Sequence, residues 1–138
     1  MAALVIIGIF YPSKSYGDPS EAVKDPYLTL SSLSDTADKD TIIMAIREVA
    51  KKYLIDESSL MQTIKCESGY QHAGVFGDWN GKEYLAYGLL QWHFDSFSEL
   101  CSGSYYSAKD QLVCTAELWA KNPKYKKLWS CWSRYFGS

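Results

Sequence analysis

The sequence predicts a mainly helical α+β domain with one small β-hairpin, stapled by disulfides, and three observations carry that prediction. Apolar residues recur at steps of three and four over Ile42, Ile46, Val49, Ala50 and Tyr53, and again over Leu60, Met61 and Ile64, which is the period of amphipathic helices. Asn80-Gly81 stands between two short strand-like runs, residues 75–79 and 82–87. That dipeptide is a hairpin signal because it supplies the positive backbone dihedrals of a type I′ turn. Finally, four cysteines, Cys66, Cys101, Cys114 and Cys131, occur in 138 residues. An even count in a short exported chain reads as a disulfide framework, with three connectivities open.

The first helix begins at Thr36 or Asp38 as N-cap and carries Lys51-Lys52 near its end. After Ile55, Asp56 or Ser58 can cap a second helix that runs through Lys65 and is ended by Gly69 in a left-handed cap, so Glu67 falls in its last turn. Beyond the hairpin, residues 88–100 read as helix. Residues 108–120 do so as well, through Leu112, Ala116 and Trp119, until Asn122-Pro123 stops them. The aromatics of residues 128–132 are expected to pack on the core.

The chain suits one folded unit, and its net charge of -2 argues against a nucleic-acid partner, which would call for a basic patch. Five Trp, eleven Tyr and five Phe are an aromatic excess, and aromatics in a cleft offer flat faces on which sugar rings rest. With no Cys-x-x-Cys and no paired His spacing, no metal is expected, nor any cofactor. His72 and His93 read as surface or cleft-rim residues.

Residues 1–17 resemble a signal peptide. An apolar run over residues 2–11 is too short for a bilayer that needs about 20 residues, and Ser15 and Gly17 are small residues where a signal peptidase reads. It departs from the pattern in having no Lys or Arg before the apolar run. Residues 18–37, with Pro19, Pro26 and a Ser-rich stretch at 30–34, read as a linker, and residues 38–138 as the folded domain. The expectation is a secreted or periplasmic monomer whose only membrane contact is through the leader.

Glu67 is the candidate that organises the site. A carboxyl group at a helix end, half-buried against apolar neighbours, is disfavoured as an anion and stays protonated toward neutral pH, so it can donate a proton to a leaving oxygen. That is the demand of glycosidic bond cleavage.

Tyr53-Leu54-Ile55-Asp56, Leu60, Ile64-Lys65-Cys66-Glu67-Ser68-Gly69-Tyr70 and then Tyr87-Gly88-Leu89-Leu90-Gln91 resemble the soluble lytic transglycosylase family, related to goose-type lysozymes, over roughly residues 38–120. The resemblance implies a lysozyme-like fold that cleaves the β-1,4 bond between N-acetylmuramic acid and N-acetylglucosamine, with peptidoglycan glycan strands as the partner at the cell wall. It implies that Glu67 acts as acid and then base, that Ser68 helps orient it, and that Gln91 lines the sugar cleft. Tyr87 and Trp92 flank that second motif and are candidate cleft residues, and Trp119 falls nearest to a tyrosine the family carries on a later helix. Leu90 stands where the family has Met, and residues 80–88 replace the family's usual approach to the second motif. Cys66 and Trp129-Ser130-Cys131 are similar in placement to residues of some small cysteine-containing lysozyme-like proteins. The expected pairs are Cys66 with Cys131, tying the Glu67 helix to the tail, and Cys101 with Cys114, closing a short loop between neighbouring helices.

The reaction type turns on a second carboxylate. Asp78 and Glu83, 11 and 16 residues after Glu67, are the candidates for a nucleophile or water-activating base, and with either one hydrolysis follows. Without one, the substrate's own acetamido group stabilises the anomeric cation and Glu67 closes an anhydro product. The motifs favour this one-acid transglycosylation. A protein of another class, a carbohydrate-binding or inhibitor module of the same shape, has no need of a half-buried protonatable carboxyl group.

Overall fold

The computed structural model describes residues 25–137. The leader expected over residues 1–17 lies outside them, as does the start of the expected linker. In chain order the elements are α1 (Leu28–Ser31), α2 (Lys39–Tyr53), α3 (Glu57–Ser68), β1 (Phe76–Trp79), β2 (Tyr84–Tyr87), β3 (Trp92–His93), α4 (Phe94–Leu100), α5 (Ala108–Lys121), a 3₁₀ turn (Pro123–Leu128) and α6 (Ser130–Phe136). The three strands form one antiparallel sheet in the order β1-β2-β3, so the fold is mainly helical α+β.

The helices start and stop where short-range chemistry directs. Asp38 accepts a hydrogen bond from the Thr41 N–H and Asp56 one from the Ser59 N–H, both at 2.8 Å, satisfying donors that the first helical turn leaves free. At the other end of α3, Gly69 takes φ +64° and returns its N–H to the Lys65 carbonyl. The inward faces then meet: Ile42, Ala45, Ile46 and Val49 of α2, Leu60 and Ile64 of α3, and Ala108, Leu112 and Ala116 of α5 form one buried core with Leu89 and Leu90. Burying a Leu or Ile side chain contributes about 1.5–3 kcal/mol, so this core is what holds the sheet against the helices.

Three boundaries differ from expectation. The expected linker, residues 18–37, is not a linker from Asp25 onward: Leu30 and Leu33 are buried in the core. The Leu30 N–H donates to Glu48 Oε1, and Asp35 Oδ1 accepts from the Ala108 N–H, each at 2.8 Å. Proline and serine obscured two leucines that had no helical run around them to mark them as core.

The hairpin is wider than the type I′ turn expected at Asn80-Gly81. Trp79 pairs with Tyr84, leaving a four-residue loop. Asn80 Oδ1 accepts from the N–H groups of both Lys82 and Glu83 at 2.8 Å, and this side-chain bonding replaces the tighter turn.

The hairpin is also extended by a third strand, where helix was expected from residue 88. Gly88 at φ +86° and Gln91 at φ +51° turn the chain back. The Leu89 and Leu90 N–H groups are taken at 3.0 Å by His72 Nδ1 and Gln111 Oε1, which holds this turn; Trp92–His93 then pairs with β2, and α4 starts only at Phe94. Two disulfides close the fold, Cys66–Cys131 and Cys101–Cys114, the pairs expected.

Candidate active site

α3 delivers Glu67 in its last turn, and the disulfide at the preceding residue binds that turn to α6. The Cys131 N–H, at the start of α6, donates to Glu67 Oε2 at 3.3 Å. The carboxyl group stands in a cleft of about 150 Å³ lined by Glu67, Asp78, Gln91, Trp92, His93, Ser96, Leu128, Trp129 and Ser130. Burial holds it above the usual carboxylate range, the Cys131 N–H pulls the other way, and the charge of Asp78 adds to the rise. Desolvation is the largest of these effects.

Asp78 comes to the same cleft from β1. It adopts φ +54°, a left-handed conformation within a strand that Asp tolerates better than most residues, and Oδ2 meets His93 Nε2 of β3 at 2.6 Å. Backbone strain of this kind concentrates where a side chain must be aimed. The cleft thus holds a half-buried carboxyl from a helix end and a second carboxyl group from the sheet, the latter bonded to a histidine.

The other sequence candidates divide. Gln91 lines the cleft, but its amide is committed: Nε2 donates to the carbonyls of Val75 (3.1 Å) and Gly88 (2.9 Å), and its oxygen rests on Gly77. Ser68 does not bond the Glu67 carboxyl, because its hydroxyl donates one turn back to the Ile64 carbonyl at 3.2 Å. Glu83 is exposed in the hairpin loop and does not line the Glu67 cleft. Trp119 is a core residue, 2% exposed and packed on Trp129, because α5 turns that face inward. Trp92 reaches the cleft wall with a buried ring whose Nε1 donates to Thr115 Oγ1 at 3.1 Å.

Tyr87 faces a second groove of about 660 Å³, which shares His93 and Ser96 with the Glu67 cleft. Its walls are aromatic: Phe76, Tyr84, Phe94 and Tyr106 are more than half exposed there, with Tyr105 beneath them and Glu83 and Asp95 among them. Burial pushes the Tyr105 hydroxyl up to about 12, and it donates to the Trp92 carbonyl at 2.6 Å.

Sequence reasoning missed the residues that position the site. His72, read as a surface or rim residue, is 2% exposed. Its Nδ1 accepts from the Leu89 N–H, so Nε2 carries the proton and donates to the Tyr106 carbonyl at 2.7 Å. Gln111 accepts from the Leu90 N–H and donates to the carbonyls of Tyr87 (2.9 Å) and Tyr105 (2.8 Å). Its signal was present: a glutamine three residues after Ala108 lies on the apolar face of α5, where a polar side chain needs partners. His93, Ser96 and Leu128 carried no motif.

Among the described residues no group of three or more His, Cys, Asp or Glu is placed to hold a metal ion, and no helix is long and apolar enough to cross a membrane. No family model, curated protein or solved structure matches the chain.

Proposed function

We propose that this protein is a lysozyme-like enzyme that cleaves the β-1,4 bond between N-acetylmuramic acid and N-acetylglucosamine in peptidoglycan, with Glu67 as the proton donor. The observation that carries the reading is the half-buried Glu67 carboxyl, raised by desolvation, standing in a cleft with Asp78. Glu67 protonates the glycosidic oxygen as the bond to the anomeric carbon lengthens. Asp78, held by His93, stabilises the positive charge that develops there or activates the water that completes the reaction. The aromatic groove that shares His93 and Ser96 with the cleft supplies faces for the neighbouring sugars. The two disulfides fit a protein that works in an oxidising compartment, at or beyond the cell surface.

The presence of Asp78 favours hydrolysis over the one-acid transglycosylation to which the sequence motifs point. Transglycosylation is the second reading, supported by the commitment of Asp78 to His93 at 2.6 Å, which would leave Glu67 to act alone. Mass spectrometry of digested peptidoglycan separates the two, since hydrolysis adds one water to each new reducing end and transglycosylation adds none. Reducing muramic acid, lost in Asp78→Asn, is the expected result, and anhydro products surviving Asp78→Asn would establish the second reading. Absence of any soluble fragment would point instead to a carbohydrate-binding module.

A further inference from the structure

Residues 121–137 hold five of the chain's fourteen basic residues and none of its sixteen acidic ones. The 3₁₀ turn and α6 pack on one another and gather these cations with aromatic rings. Lys126 Nζ lies 5.5 Å from the ring centre of Trp119 and 5.9 Å from that of Trp132. Trp132 neighbours Phe136 at 6.3 Å, and Tyr135 lies 6.4 Å from the same ring. Lys121, Lys124, Lys127 and Arg134 are exposed, and so are Leu128, Tyr135 and Phe136. None of the five cations enters a salt bridge among the described residues.

Cations alone would suit any polyanion, but the exposed rings beside them would be left in water by a soluble one. The lipid–water interface accommodates both, with aromatic side chains at the headgroup level and Lys or Arg against anionic phosphates. We propose that this face docks on membranes bearing anionic phospholipids. The exposed aromatics of the sheet groove are excluded from that role, because Glu83 and Asp95 stand among them and would be repelled by an anionic surface. Leu128 and Ser130 line the Glu67 cleft as well, so this face borders the cleft. The inference is independent of the reaction proposed for the cleft.

The test is co-sedimentation of the full chain with vesicles of phosphatidylcholine alone and of equal phosphatidylcholine and phosphatidylglycerol, at low and high salt. The quantity read is the partition ratio between the two vesicle types, which an apolar leader without a lysine cluster does not set. We expect a ratio well above ten at low salt that collapses at high salt. Lys124→Glu with Lys127→Glu, both at exposed positions, should lower it at least about tenfold while the far-UV circular dichroism stays unchanged. Tyr135→Ser with Phe136→Ser should weaken binding to the anionic vesicles too. A ratio near one, or one that survives the charge reversals, overturns the proposal. Anionic-vesicle binding untouched by the aromatic substitutions would also overturn it, and would mark a site for a soluble polyanion.

Discussion

The Cys131 N–H donates to Glu67 Oε2 at 3.3 Å, and the disulfide of Cys131 closes on Cys66, the residue before Glu67. One covalent bond and one hydrogen bond from the same residue therefore fix the helix turn that carries Glu67. The pairing joins positions 65 residues apart, whereas Cys101–Cys114 joins positions 13 apart. By loop entropy the longer closure is worth about 4 kcal/mol and the shorter about 3 kcal/mol. Cys131→Ser with Cys66→Ser should cost more stability than Cys101→Ser with Cys114→Ser in urea unfolding, and should also depress activity at temperatures where both variants remain folded. Equal activity loss in the two double variants would show that the first disulfide does not position Glu67.

Glu67→Gln should lower clearing of purified peptidoglycan by about 10²–10⁴-fold, the worth of general acid catalysis. The same substitution has a signature in stability. Burial raises the Glu67 carboxyl above its unfolded value, so the folded state binds the proton more tightly. Its stabilising contribution is present at acid pH and is lost as pH rises through the folded-state value. The variant should thus be more stable than the parent at neutral pH, with the advantage shrinking as pH falls through the raised folded-state value and gone below the ordinary carboxylate range. Denaturant midpoints across pH measure this, and a difference that does not change with pH would contradict the buried position of Glu67.

Gly77 is required by the side chain of Gln91. A Cβ at residue 77 would overlap Gln91 Oε1, although the backbone there has no need of glycine's conformational freedom. Gly77→Ala should cost about 1–3 kcal/mol by overpacking and disturb the turn that Gln91 ties to Val75 and Gly88. Combining it with Gln91→Ala should recover part of that loss, and a thermodynamic cycle with strictly additive costs would refute the contact.

His72 holds the same turn from inside. Replacing it with Ala leaves the Leu89 N–H and the Tyr106 carbonyl without the partner they have now, at about 1–3 kcal/mol per buried group. His72→Ala should be destabilised accordingly in thermal unfolding and should broaden or shift the aromatic NMR signals of Tyr87 and Tyr106. His93→Ala, which loses one exposed hydrogen bond, should leave stability almost unchanged while lowering activity through Asp78.

The sequence by itself determined the two helices over residues 39–53 and 57–68, their caps and the place of Glu67. The apolar period over Ile42, Ile46 and Val49, the side chains of Asp38 and Asp56, and glycine at residue 69 act over one or two turns, so the residues that decide them are adjacent in the chain. Glu67 at the end of such a helix was legible for the same reason. Tertiary structure decided the rest. Whether Asp78 or Glu83 shares the cleft with Glu67 depends on a four-residue loop and a left-handed aspartate, and neither is fixed by the Asn-Gly signal. The third strand exists because Gly88 and Gln91 take left-handed dihedrals that no helix holds, in a turn secured by His72 and Gln111, 17 and 21 residues from the amides they bind. Leu30 and Leu33 became core because Glu48 and Ala108 capture the backbone and side chains around them. A buried polar group must find a partner wherever the fold supplies one, and no local pattern says where that partner is.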